Sequence, residues 1–192
     1  VGGRAGYNVT NLAAAALAAI GLGVPAATVA EVFARFGERV TDNPGRLMRF
    51  ERRGVQVVVD YAHNPEGLAG LLGLAVSLRG NDGRLGVVLG HAGNRGDRDI
   101  ERLAATAAQF APALVVIKEL EGFLRGREPG EVPRILRAAL LHAGLPGEAL
   151  TMQSSELDAV RCALEWGRPG DVLALPVHGL AARAAVLDLL QS

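Results

Sequence analysis

Two rhythms of apolar and polar positions divide this chain near residue 45. Between residues 8 and 20 apolar residues, mostly Ala and Leu, crowd into one run that Gly21 and Gly23 close. After Pro25 the apolar positions Val29, Val32, Phe33 and Phe36 recur at helical spacing. The pattern predicts a short helical hairpin, too small to enclose a core of its own. Asp42-Asn43-Pro44-Gly45 is a dense turn signal and marks a boundary. From Arg46 onward strand-like and helix-like segments alternate. Strands are expected over 47–53, 55–59, 85–89, 113–117, 149–152 and 172–177. Helices are expected over 66–78, 99–110, 129–143, 155–166 and 180–190. Strands separated by helices imply βαβ units, hence an α/β fold with a mostly parallel, twisted sheet covered by helices on both faces. The expected organisation is therefore a helical segment over 1–41, a linker over 42–45 and an α/β domain over 46–192.

Composition narrows what such a domain does. The 192 residues are half hydrophobic, enough for a sizeable core. Twenty Lys and Arg balance twenty Asp and Glu, so the net charge is zero, which argues against a general nucleic-acid or membrane-surface binder. Cys162 is the single cysteine, which excludes an internal disulfide and a multi-cysteine zinc site and suits a reducing, cytoplasmic setting. It is expected as a buried helix residue rather than a nucleophile. No apolar run is long enough to span a membrane; 12–24 comes nearest but is broken by glycines and stopped by Pro25. The start, V-G-G-R, carries no basic, apolar leader and no initiator Met, so the chain is expected to be a piece of a longer protein.

Candidate chemistry gathers where strands end. Val55 to Pro65 reads V-Q-V-V-V-D-Y-A-H-N-P, placing Asp60 and His63 at a strand's carboxyl end, where open α/β sheets bind ligands. The bland alternative is a turn and helix cap. Leu89 to Asp99, L-G-H-A-G-N-R-G-D-R-D, joins another strand to a helix. Its glycines and the charged or polar Asn94, Arg95, Asp97 and Arg98 suit a polar ligand, although it is neither a Walker A loop nor a clean G-x-G-x-x-G. Asp97 or Asp99 would otherwise cap the helix. Lys118, Arg125 and Arg127 follow a third strand and are expected on the same rim, where guanidinium groups suit carboxylate or phosphate; solvated surface charge is the alternative. Asn8 and Asn11 stand near the start of the Ala-rich helix, where they either read a base edge or cap the helix. Arg46 follows the linker. His142 and His178 show no distinguishing pattern, and no metal site is expected.

These motifs resemble the Mur ligase superfamily, the ATP-dependent amide-bond ligases that include muramyl-peptide ligases, folylpolyglutamate synthase and cyanophycin synthetase. Y-N-V-T-N-L-A-A-A-A-L-A at Tyr7 to Ala18 is similar to a helix near the end of the family's central ATPase domain. Gly45-Arg46 resembles the start of its C-terminal domain, Asp60 to Pro65 its D-x-A-H-N-P signature, and Gly93 to Asp99 its G-D-R loop. K-E…R-G-R-E-P-G-E-V, from Lys118 to Val132, looks most like the cyanophycin synthetase branch.

The resemblance implies a Rossmann-like C-terminal domain behind a helical remnant of the ATPase domain. In that family ATP phosphorylates a carboxylate and an amine attacks the acyl phosphate. By this likeness Asn8 and Asn11 would approach the adenine, Arg46 the phosphates, and Asp60 the ribose or the domain junction, with His63 beside the nucleotide. Asn94, Arg95, Asp97, Arg98, Lys118, Arg125 and Arg127 would bind the incoming amino acid or peptide. The family's Gly-Lys-Thr loop and Mg2+ ligands are absent here and would lie upstream, so this chain is expected to be inactive alone and to bind ATP weakly. A muramyl-peptide or folylpolyglutamate type ligase, and a non-catalytic nucleotide- or partner-binding module, are the alternatives. Apolar surface on the two leading helices would allow a homo-oligomer.

Overall fold

The computed structural model describes residues 6–36 and 45–191, with side chains from residue 9 onward. The expected segments are all present. The hairpin is α1 (Gly6–Gly21) and α2 (Ala26–Arg35); then follow β1 (Met48–Arg52), β2 (Val55–Asp60), α3 (Pro65–Leu78), β3 (Leu85–Leu89), α4 (Asp97–Ala108), β4 (Leu114–Lys118), α5 (Glu131–His142), β5 (Leu150–Gln153), α6 (Glu156–Trp166), β6 (Val172–Pro176) and α7 (Leu180–Gln191). Of the expected linker, residues 42–44 lie outside the described residues.

Helix starts follow local chemistry. Asn64 caps α3 by accepting from the Gly67 N–H, with Pro65 in the first turn, and Ser155 caps α6 by accepting from the Asp158 N–H. α4 begins two residues before the expected Asp99. Gly96, at the capping position, has no side chain to cap it, and the Asp97 carboxylate is turned to Arg127.

The sheet runs β1-β2-β6-β3-β4-β5; β1 pairs antiparallel with β2 and all other pairs are parallel. The parallel strands are nearly continuous apolar runs because both faces are buried. Alternate residues feed two cores. Val58, Val87, Leu89, Val115, Ile117 and Ala174 pack with α3, α4 and α5. Val57, Val59, Val88, Val116, Leu173 and Leu175 pack with α6 and α7.

This order positions a crevice. β2 and β6 are neighbours, yet the chain leaves β2 for α3 on one face and leaves β6 for α7 on the other. Adjacent strands whose connections diverge leave an opening beyond their carboxyl ends. The leading hairpin stays largely outside the cores. Val29 is the buried side chain of α2, while Val9, Leu17, Ile20, Leu22, Val24, Val32 and Phe36 are exposed. Among the described residues, no helix is long and apolar enough to cross a membrane.

Candidate functional site

Asp60 ends β2 at the crevice with its carboxylate buried. One oxygen accepts from the Leu47 N–H at 2.9 Å and the other from the Ala62 N–H at 2.8 Å. Burial pushes its carboxyl above the usual range, against the opposing pull of those backbone bonds and of Arg46. Asp60 thus ties the segment just after Arg46 to the sheet. Both Arg46 and His63 are exposed beside it.

Tyr61 gathers the neighbouring groups. Its ring centroid lies 5.3 Å from that of His63 and 5.3 Å from that of His178. The Arg46 guanidinium carbon stands 4.6 Å from the same centroid and that of Arg183 5.4 Å. The site therefore joins the start of the α/β domain, the β2 end, the β6 end and α7.

Beneath it runs a buried polar network. The amine of Lys118, with no exposure, donates to Glu156 Oε1 and to the Pro176 carbonyl. Glu156 also accepts from the His178 N–H at 2.9 Å and the Gly179 N–H at 2.7 Å. His178 Nε2 sits 3.1 Å from the Ala62 carbonyl, and Nδ1 sits 3.4 Å from the Lys118 amine. Nε2 therefore carries the proton of the neutral ring, and Nδ1 stands 3.4 Å from both the Lys118 amine and Glu156 Oε1. Burial lowers the His178 pKa, which agrees with the neutral ring. Burial alone would raise Glu156, but its bonds to His178 and the Lys118 ammonium hold it well below the usual carboxylate range.

This corrects two expectations. Lys118 does not stand open on the rim. The two-residue repeat that sends Leu114 and Val116 toward α6 sends Lys118 there too, under the surface, so it acts on the rim through its partners. His178 is no ordinary histidine but the link between Glu156, Ala62 and Tyr61. Close packing extends to Gly90, where a Cβ would fall 2.7 Å from Lys118 Cγ.

The other two loops are stitched together by Arg127. Its guanidinium donates to the Gly93 carbonyl at 3.0 Å, the Arg95 carbonyl at 2.7 Å, Asp97 at 2.6 Å and Glu131 at 2.6 Å. The Gly93 N–H donates to the Phe123 carbonyl. Arg127 is thus taken up in holding the 93–99 and 123–128 loops side by side. Asn94, Arg95, Arg98 and Arg125 are exposed along them, and Arg125 lies beside the Phe123 ring. His91, buried below the 93–99 loop, has its pKa lowered by burial. Asn11 is exposed on α1, one turn from residue 8; the Asn8 side chain lies outside the described residues.

Sequence reasoning passed over Tyr61, Glu156, His178 and Arg183. Arg183 carried a faint signal as the one charged residue in the first two turns of an Ala- and Leu-rich helix. Among the described residues no three His, Cys, Asp or Glu side chains are grouped to hold a metal ion.

The family profile described as Mur ligase, glutamate ligase domain matches residues 45–175. The UDP-N-acetylmuramoyl-L-alanyl-D-glutamate–2,6-diaminopimelate ligase of Corynebacterium glutamicum is 32% identical over 90% of this chain and 32% of its own length. Cyanophycin synthetase of Synechocystis is 31% identical over 86% of this chain and 18% of its own. The chain therefore spans about a third of the first relative and under a fifth of the second. Among solved structures, a murein peptide ligase of Psychrobacter arcticus matches with a TM-score of 0.62 at 19% identity, over 95% of this chain and 36% of that one. Folylpolyglutamate synthase of Mycobacterium tuberculosis, complexed with ADP and AMPPCP, matches with a TM-score of 0.55 at 20% identity, over 76% of this chain and 32% of that one.

Proposed function

The chain belongs to the Mur ligase family through its glutamate ligase domain, and from that premise we propose that it is the C-terminal domain of an ATP-dependent amide-bond ligase of the cyanophycin synthetase type. The observation that carries the reading is the Asp60 bridge, which fastens the segment following Arg46 to the strand end where the signature motif stands. In this reading residues 1–41 belong with a preceding ATPase domain and residues 46–192 form the closing domain. The apolar face of α1 and α2 meets the rest of the longer protein, and in the isolated chain the same face pairs two copies.

The chemistry has two steps. The γ-phosphoryl group passes from ATP to a substrate carboxylate oxygen and ADP departs. An amine nitrogen then attacks the acyl carbon and phosphate leaves with its bonding electrons. Such transfer depends on positioning and charge neutralisation more than on covalent groups from the protein. Arg46 neutralises phosphate charge, and Asp60 and His63 hold the nucleotide side of the junction, with Asn8 and Asn11 toward the base. Asn94, Arg95, Arg98 and Arg125 face the incoming amino acid or peptide, on loops that Arg127 and Asp97 keep in place. Closure of this domain excludes water from the acyl phosphate. Mg2+ bound with the nucleotide would supply charge neutralisation from ligands elsewhere in the longer protein.

The test is phosphate release from ATP by the whole protein with candidate amines. Release that depends on arginine or an aspartyl-arginine dipeptide, and that is lost in Asp60→Ala, supports the cyanophycin-type reading. Release with diaminopimelate or glutamate substrates instead moves the branch. The second reading, a muramyl-peptide ligase, is favoured by the slightly longer match to the diaminopimelate ligase. This chain alone is expected to show no ATP turnover.

A further inference from the structure

Arg183 is the one buried polar side-chain atom set without a partner among the described residues: its Nε has none. One terminal nitrogen donates to the His178 carbonyl at 3.3 Å. The side chain is pressed against the Gly45 backbone, where a Cβ would fall 3.0 Å from its guanidinium carbon. Gly45 directly precedes Arg46, so the two arginines flank Tyr61 from the two ends of the chain's path through the site. Like charges brought to one ring call for a counter-charge.

Among the described residues no carboxylate hydrogen-bonds either guanidinium, although Asp60 lies near enough to Arg46 for mutual attraction. Asp60 gives both oxygens to backbone N–H groups. Glu156 gives its oxygens to the N–H groups of His178 and Gly179 and to Lys118. The His63 ring lies against Tyr61, 5.3 Å between centroids, on the exposed side of the site. A donor left unpaired in a buried place is unfavourable and calls for an acceptor from elsewhere.

We propose that Arg183 is a second anion-binding residue of the crevice, pairing with Arg46 around Tyr61 to take the phosphate chain of a nucleotide. The assignment rests on the nucleotide reading of the rim and adds to it a residue from α7. A planar fork with an unused N–H suits phosphate oxygens, which accept several bonds at once.

The test titrates the full chain with tripolyphosphate, ADP and adenosine while following the Arg Nε–H resonances and heat. The Arg183 Nε–H signal is expected to shift with tripolyphosphate and ADP but not with adenosine. Arg183→Ala is expected to weaken tripolyphosphate binding about ten- to a hundredfold. Arg183→Lys, which keeps the charge without the fork, is expected to lose less, and it serves if the alanine variant misfolds. Weakening by Arg46→Ala with no effect of either Arg183 variant overturns this proposal and leaves the nucleotide reading standing. Weakening by Arg183→Ala alone keeps Arg183 and overturns the role given to Arg46. No response of the wild-type chain to either phosphate compound overturns both.

Discussion

Lys118 and Glu156 meet as an ion pair inside the protein, the lysine fully buried and the carboxylate nearly so. Burying two charges is favourable only when every donor and acceptor is matched. Here the β6 end supplies the matches: the Pro176 carbonyl for lysine, and the His178 and Gly179 N–H groups for glutamate. The pair is a peg that fixes the 176–179 turn, and through His178 it sets the floor under Tyr61.

Removing one charge should therefore do more harm than removing both. Lys118→Met is expected to cost about 3–5 kcal/mol, because Glu156 is left as a lone buried anion. Lys118→Met with Glu156→Gln should recover a large part of that loss. Urea unfolding of the two variants measures the difference, and equal losses would contradict the peg.

Stability should fall as the solution turns acid. His178 and His91 are buried with lowered pKa values, so below about pH 6.5 the unfolded chain takes up protons that the folded one refuses. The loss begins near that pH and continues down through the lowered folded values. Asp60, raised by burial, acts with the opposite sign from about pH 4 up to its folded value, where protonation favours the fold. Thermal unfolding across pH 4–8 should show a shallower acid slope in His91→Gln than in the wild type.

Asp60→Ala leaves the Leu47 and Ala62 N–H groups without acceptors, at about 1–3 kcal/mol each if both stay buried. His63→Ala should leave the melting temperature almost unchanged, because the ring is exposed. Both variants of the whole protein are expected to lose ATP-dependent phosphate release. Chemical denaturation beside the activity assay separates the structural from the ligand-facing residue.

Arg127→Lys should loosen two loops at once with little change in global stability. One ammonium cannot replace four guanidinium contacts spread over Gly93, Arg95, Asp97 and Glu131. Faster hydrogen exchange confined to residues 93–99 and 123–128 is the expected signature. An unchanged exchange pattern would mean that the Gly93–Phe123 backbone bond suffices.

The chain alone should form dimers that the exposed side chains of α1 and α2 hold together. Light scattering at high concentration checks this, with Leu17→Glu and Val32→Glu expected to return it to monomer. A monomeric wild type would count against that role for the hairpin.

What the sequence made legible, and what it hid, follows from range. Val55 to Asp60 reads as a buried strand because its neighbours on both faces are apolar, and the switch in period at residue 46 is local. The place of Asp60 at a strand end is legible in the eleven consecutive residues Val55 to Pro65. The partnership of Lys118 with Glu156 was hidden because 38 residues separate them, and because it depends on α6 returning across the face to which Lys118 points. The contact of His178 with Ala62 depends on β6 being inserted beside β2, an order no local pattern announces. Counting in twos from Leu114 would have turned Lys118 inward; nothing comparable would have joined Arg183 to Tyr61.

Leu47 holds a left-handed backbone at φ +46°, an uncomfortable posture for a branched side chain, two residues after Gly45 at φ +76°. The Asp60 carboxylate grips its N–H, and its side chain is buried. The corner is thus clamped rather than slack. Arg46, caught between Gly45 and Leu47, takes its bearing from a carboxylate in the sheet, so a lengthened or glycine-softened corner would leave the sheet intact and spoil only the aim of that guanidinium.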